Sequence, residues 1–281
     1  MGFVFRLEDY QRYRDRVGEA TYIDITRRTD PACIRRVWEN LGRVFDTYGA
    51  PWVVQLWTKH LHGAVEKGGA LLERLHERGT TLAAQLTVTG LNGTRWEPGN
   101  TASPFAGAKA FFELAGGPEH LKWRYDPIIP TVHNEERFTR LAERAAELGI
   151  KQCVINFIVP PGRYNRVDAR LNGELPGWRE GMPEYDDTWR AETAARLSAI
   201  SKDFDLTLAV CAESSELSNR LPGLTRAACG DRAWFERLSG RAPGAIKGRG
   251  SRKGCGCAPY FDVGLYGQWG RCHRCLYCYA G

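Results

Sequence analysis

The chain has 281 residues, 43% of them hydrophobic, enough for one α/β barrel or two smaller domains, and one domain is the simpler expectation. Its formal net charge of +6 is spread over abundant residues of both signs, so charge alone names no partner. No apolar run approaches the roughly 20 residues a transmembrane helix needs, and the first residues carry neither a secretory apolar stretch nor the Ser or Thr of a myristoylation signal, which excludes membrane and secreted classes and leaves a cytoplasmic protein.

Short apolar runs predict strands at residues 21–26, 52–57, 82–88, 121–125, 153–159 and 206–211. Between them, helical periodicity predicts helices at 31–47, 62–78, 104–115, 135–148 and 186–202. About six βα units with parallel strands make a (β/α) barrel, partial or complete and TIM-barrel-like, because crossover connections place strands inside and helices outside. An open doubly wound sheet is the alternative, but no Gly-x-Gly-x-x-Gly follows the first strand. Beyond residue 230 the periodicity fades, and a short strand or loop at 260–266 leads into a cysteine-rich end. Residues 1–235 are therefore expected to form the barrel and 236–281 a segment closing its mouth. Within that segment the basic stretch Lys247 to Lys253 would meet phosphate or an acidic ligand, or is simply a solvated loop.

In such barrels chemistry gathers at the carboxyl ends of the strands. Here those ends read Thr26-Arg27-Arg28-Thr29-Asp30, Trp57-Thr58-Lys59-His60, Gln85 to Thr89, Trp123-Arg124-Tyr125-Asp126-Pro127, Asn156 before Pro160-Pro161, and Cys211-Ala212-Glu213. One cup would collect these charges between walls of Trp57, Trp123 and Tyr125, which suits a small, polar, anionic molecule. Arg27 and Arg28 would clamp a carboxylate or phosphate, with Lys59 and Arg124 sharing its charge and Asp126 beside them. The equal alternative is an ion-pair ring with Asp30, Asp126 and Glu213 that seals the barrel top. Loop and helix histidines are more often surface groups, and His60, just after the second strand, is the one to mutate.

The last ten residues hold Cys272-x-x-Cys275-x-x-Cys278. Three thiolates so spaced can take three corners of a metal cluster and leave a fourth open to a small molecule. Chain ends fray unless tied down, so the tail is expected to be ordered by its metal. Cys33 and Cys153 sit in apolar patterns and read as packing. Cys211, Cys229, Cys255 and Cys257 remain, and they suffice for a second, closed site. The rival is a zinc ribbon on Cys255, Cys257, Cys272 and Cys275, against which the single residue between Cys255 and Cys257 counts.

With Tyr277 directly before the third cysteine, Cys-x-x-Cys-x-Tyr-Cys resembles the cluster loop of radical S-adenosylmethionine enzymes. More broadly, Thr26 to Asp30, Trp57-Thr58-Lys59, Trp123 to Pro127, Cys211-x-Glu213, Cys255-x-Cys257, Asp262-Val263-Gly264-x-Tyr266 and Cys278-Tyr279-Ala280 together resemble the domain-of-unknown-function 1848 family, in which this loop lies at the C-terminus. The resemblance implies a [4Fe-4S] cluster on Cys272, Cys275 and Cys278 that binds S-adenosyl-L-methionine at its open iron. It further implies reduction by a donor such as ferredoxin or flavodoxin, a 5'-deoxyadenosyl radical acting on a small-molecule substrate, and a second, auxiliary cluster on the other four cysteines. Glu213, Asn156 and Tyr277 would then lie at the cofactor, Glu213 against its amine. The usual loop has three residues between its first two cysteines and this one has two, His273 and Arg274, so either the thiolates alone hold the cluster or His273 joins them. Two other functions stay open. One is nucleic-acid modification or repair by the same chemistry, for which the basic stretch and nine tryptophans speak; the other is a non-catalytic, zinc- or cluster-stabilised binding protein.

Overall fold

The apolar runs become strands β1 (Tyr22–Ile25), β2 (Val53–Thr58), β3 (Thr81–Thr87), β4 (Leu121–Ile128), β5 (Gln152–Phe157) and β6 (Thr207–Cys211), followed by the short β7 (Thr225–Ala227) and β8 (Phe261–Asp262). Helices α1 (Leu7–Val17), α2 (Arg36–Tyr48), α3 (Leu61–Glu77), α4 (Ala108–Ala115), α5 (Glu135–Glu147), α6 (Asn165–Leu171), α7 (Asp187–Asp203) and α8 (Arg232–Ser239) lie between and around them. These elements come from a computed structural model that describes residues 5–211, 224–244 and 256–280. All eight strands run parallel in one sheet, in the order β7-β6-β5-β4-β3-β2-β1-β8, which is an incomplete (β/α) barrel. Each predicted strand and helix has a counterpart. Helices α1, α6 and α8 and strand β7 were not anticipated. Strand β8, from the segment expected to close the mouth, pairs with β1 through Ile23 and Asp24 and so belongs to the sheet itself.

Side chains alternate across the sheet with period two, which sets two different environments. Ile23, Ile25, Val54, Leu56, Leu82, Leu86, Trp123, Tyr125, Ile155 and Leu208 face outward, where they pack with Val37, Leu41, Leu72, Phe111 and Phe138 of the helices. The intervening positions face inward and are largely polar: Gln55 donates to Asp24 of β1, and Gln55 and Gln85 both donate to the Cys229 carbonyl at 3.2 Å. At the amino end of the strands α8 plugs the interior. Asp231 caps it by accepting from the Trp234 amide, and the Phe235 ring packs tilted against Tyr22 with centroids 4.7 Å apart.

The ring does not close by strand pairing. Strands β7 and β8 are the two edges of the sheet, and across the seam between them the Ala258 amide donates to the Gly230 carbonyl at 2.8 Å. Gly230 comes so near the Tyr22 ring that a Cβ there would lie 2.5 Å from it, so only glycine lets this loop enter the barrel.

Candidate functional site

At the carboxyl ends of the strands a cavity of about 420 Å3 opens between the sheet and the tail. Arg27, Arg28, Lys59, Arg124, Asp126, Asn156, Cys211, Cys229, Cys272, Cys275, Tyr277 and Cys278 all line it. Six strand ends and the cysteine loop are thus brought to one place. Of the other three expected site residues, Cys257 is buried but does not line the cavity, while Glu213 and Cys255 lie outside the described residues, as does the stretch Lys247 to Lys253. Two expected walls are corrected: Trp123 and Tyr125 flank the inward Arg124 and must point the other way, into the sheet–helix core, where Trp123 stacks on Phe138. Trp57 does face the cavity, sandwiched between the guanidinium groups of Arg27 at 4.8 Å and Arg124 at 5.1 Å. His60 serves the fold, its Nδ1 accepting from the Gly63 amide to cap α3.

Protein contacts hold the tail, beside any metal it binds. The Gly99 amide donates to the His273 carbonyl at 2.9 Å, and the Leu276 amide to the Trp96 carbonyl at 3.1 Å. Arg170 of α6 donates to the carbonyls of Leu276 and Cys278. The Trp269 indole donates to the Cys275 carbonyl at 2.9 Å, and Tyr279 stacks on Tyr164 while donating to the Arg27 carbonyl. A Cβ on Gly99 would sit 3.0 Å from the Cys272 carbonyl and His273 Cα, so the loop before α4 lies flush against the tail.

The charges resolve into pairs. Arg27 binds Asp24, Arg28 lies 3.6 Å from Asp262, Lys59 lies 3.1 Å from Glu97, and Arg124 binds Asp126. The ion-pair alternative therefore describes these four cations, although with Asp24, Glu97 and Asp262 as partners that sequence reasoning did not assign. Glu97 is the most consequential of them. Buried in a loop, it accepts from Lys59, Thr89, Asn100 and the Tyr277 hydroxyl. Burial works against its charge, but Lys59 and these donors hold its pKa at about 2. Tyr277 is thereby fixed as an anchor of the tail. The only sequence signal for Glu97 was an acid among turn residues between the third strand and fourth helix. Asp262 is pushed the other way, to about 6, by burial against which Arg28 only partly succeeds.

His273 carries the second anchor: its Nε2 lies 2.8 Å from Asp30 and its Nδ1 3.3 Å from the Gly99 carbonyl. Both ring nitrogens thus face acceptors, as in an imidazolium. Burial opposes that charge, yet Asp30 raises the His273 pKa to about 9, and Asp30, despite its own burial, is held below the ordinary carboxylate range. Held this way beside Cys272 and Cys33, His273 is one of the metal-type donors at the tail.

Cys33 departs from its expected role as inert packing. With Cys272 and His273 it forms a group of metal-type donor atoms within 4.8 Å of one another, and its thiol bonds to Cys272, whose pKa falls to about 6. Cys153 is buried in the sheet–helix core, where burial pushes its thiol up. A four-iron cluster spaces its thiolates more widely than a single ion does, since each binds a different iron. Cys272, Cys275 and Cys278 all line the cavity, and three thiolates are the donor set such a cluster takes. Cys211 and Cys229 approach to 3.0 Å, and the Cys229 amide donates to the Cys257 sulfur, so these three cysteines meet at the seam.

These features define a parallel, incomplete (β/α) barrel whose strand ends face a terminal cysteine loop across a polar cavity. The chain belongs to the family described as domain of unknown function (DUF1848), whose model matches residues 49–280. No curated protein matches it. Among solved structures it is similar to SuiB of Streptococcus suis, in a crystal structure with S-adenosylmethionine bound (12% identity, TM-score 0.34, 83% of this chain and 49% of SuiB) and in a second SuiB structure (12%, 0.35, 83% and 48%). The chain spans about half the length of SuiB. Among the described residues no helix is long and apolar enough to cross a membrane.

Proposed function

We propose that this protein is an iron–sulfur enzyme of the radical S-adenosylmethionine type that modifies a small polar substrate. One observation carries the reading: the three tail thiols and the ends of six strands line the same cavity. Cys272, Cys275 and Cys278 would hold a four-iron cluster, and its open iron would bind S-adenosylmethionine and, once reduced by a ferredoxin- or flavodoxin-type donor, supply a 5'-deoxyadenosyl radical. The chain's own part is to bind, orient and exclude water. Trp57, braced by two guanidinium groups, forms a flat apolar wall, and Asn156 presents an amide from the fifth strand end. The tail, pinned through His273 and Tyr277, closes the cavity from above. Because each cation has a carboxylate partner, the cavity favours a polar ligand of low net charge over the anion expected from residue types alone.

The test is anaerobic reconstitution with iron, sulfide and zinc analysis, followed by electron paramagnetic resonance of the reduced protein with and without S-adenosylmethionine. Four iron and sulfide per chain, lost in the C272S/C275S/C278S variant, and a signal that changes on adding the cofactor are expected. A protein with zinc and no iron, or a signal indifferent to S-adenosylmethionine, refutes the proposal.

A further inference from the structure

The loop after the first strand meets the tail at a compact group of donors. Cys33, between β1 and α2, joins Cys272 and His273, and the ligand atoms of all three lie within 4.8 Å of one another. Cys275 and Cys278 do not belong to this group, so single-ion spacing at Cys272 is reached from the Cys33 side and not within the terminal triplet. The Cys33 sulfur stands 3.7 Å from His273 Nε2 and 3.9 Å from Nδ1. A thiolate at about 2.3 Å and an imidazole nitrogen at about 2.0–2.1 Å on one tetrahedral ion stand about 3.5–3.6 Å apart, so small shifts bring these donors onto one metal.

Behind the imidazole, the outer contact that metal-bound histidines carry is already in place. Such a histidine donates its remaining N–H to a carboxylate, which fixes the ring and its tautomer. His273 Nε2 lies 2.8 Å from Asp30, whereas Nδ1 has the Gly99 carbonyl at 3.3 Å, the weaker contact to give up. Asp30 is itself held, accepting from the Thr58 hydroxyl at 2.7 Å and from the Lys59 and Ala32 amides at 2.6 and 2.9 Å. The Cys33 amide donates to the Asp30 carbonyl at 3.0 Å, so one residue positions both the thiol and the imidazole. Cys33 and Cys272 are half-buried, which leaves an ion a way in.

We infer that Cys33, Cys272 and His273 Nδ1 hold a single zinc ion that ties the loop after β1 to the tail. Two thiolates and an imidazole are donors that zinc takes in tetrahedral sites, with water in the fourth position. Binding displaces the Nδ1 proton and the thiol protons to solvent. Because Cys272 serves both, zinc here and a four-iron cluster on the tail exclude one another. The zinc site stands on its own geometry, and only this competition rests on the proposed function.

The direct test is zinc titration of the full-length C275S/C278S variant against a chromophoric chelator. One zinc per chain is expected, and adding C33A should weaken its affinity at least tenfold. Zinc-edge X-ray absorption should show two sulfurs at about 2.3 Å and an imidazole nitrogen at about 2.0 Å. Because the double variant could fail to fold, iron-free wild-type protein and its C33A variant are measured alongside, with the same imidazole signature and the same tenfold loss expected. Zinc bound equally well without Cys33, a shell of sulfur alone, or no zinc on the folded proteins overturns the inference. Cys33 is not a ligand of the proposed cluster, so C33A should still take up four iron and keep the S-adenosylmethionine-dependent signal. Absence of iron and of that signal from reconstituted wild-type protein, with zinc bound through Cys33, would refute the proposed function and leave the zinc site standing.

Discussion

Replacing Glu97 by glutamine keeps the side chain's shape but removes the charge that compensates Lys59. In the structure Glu97 is 1% and Lys59 14% exposed, so the ammonium left behind has little water to turn to. Breaking a buried ion pair by removing one partner costs about 3–5 kcal/mol, and the lowering of Glu97 from 4.5 to about 2 corresponds to roughly 3 kcal/mol. At about 2–4 °C per kcal/mol for a chain of this size class, the melting temperature should fall by about 6–20 °C. The tail should loosen with it, because the Tyr277 hydroxyl loses its charged acceptor; carboxypeptidase release of the last residues reports this separately from global unfolding. The K59M/E97Q double variant removes the stranded charge and should recover most of the loss, giving a coupling energy of about 2 kcal/mol or more in a double-mutant cycle. The sign with pH follows from the depressed pKa: the stabilisation is complete above about pH 4.5, the unfolded value, and is lost as pH falls toward 2. A single E97Q variant within about 1 kcal/mol of wild type, or no recovery in the double variant, refutes the assignment of Glu97 as the tail's electrostatic anchor.

His273 has the opposite dependence: with its pKa raised from 6.5 to about 9, its pairing with Asp30 stabilises fully below about pH 6.5, on the order of 3 kcal/mol, and is lost as pH rises through 9, so tail proteolysis should accelerate there and H273Q should abolish the dependence. Gly99→Ala places a Cβ 3.0 Å from the tail backbone and should cost about 1–3 kcal/mol in urea unfolding while hastening tail release. Trp123→Ala should cost about 3–5 kcal/mol yet leave S-adenosylmethionine affinity by calorimetry unchanged in the folded protein, whereas Trp57→Ala should weaken that affinity. Cys33→Ala removes the thiol that holds Cys272 at about 6, so the pH profile of Cys272 alkylation in metal-free protein should shift upward.

Much of this was legible before any coordinates. Strands β1 to β6 announced themselves because buried parallel strands are continuous apolar runs, and their polar ends stood out because nothing in the core needs Arg27, Lys59 or Arg124. The misses have physical causes. Helix α8 spans only eight residues, too few for its apolar stripe to establish a period, and β7 and β8 are shorter still. Trp123 and Tyr125 were placed in the cavity although Arg124 between them could share that side only by breaking the alternation. Cys33 was read as packing because its neighbours are apolar; its meeting with Cys272 spans 239 positions, the difference of their numbers, and leaves no local trace. Glu97 illustrates the general limit, since a loop acid becomes an anchor only once Lys59 and Tyr277 have been folded against it.

The concentration of cysteines in the last quarter of the chain follows from the same geometry. Strands β2 and β3 share six register pairs, but β6 and β7 share three and β1 and β8 only two, so the ladder thins toward both edges of the sheet. A barrel whose edges carry so few hydrogen bonds gains little from closing on itself, and the segment from β7 onward must be held by other means. Two kinds of contact do this. The Cys211 and Cys229 sulfurs meet beside Arg124, and His273 and Tyr277 tie the tail to Asp30 and Glu97. The same segment therefore completes the wall of the barrel and then roofs it. That explains why the tail is ordered by buried polar pairs: only a roof fixed independently of its ligand presents three thiols to the cavity in constant positions. The thiols' wall and the strand ends are then fixed to one frame, the pre-organisation that the proposed water-excluding radical site would need.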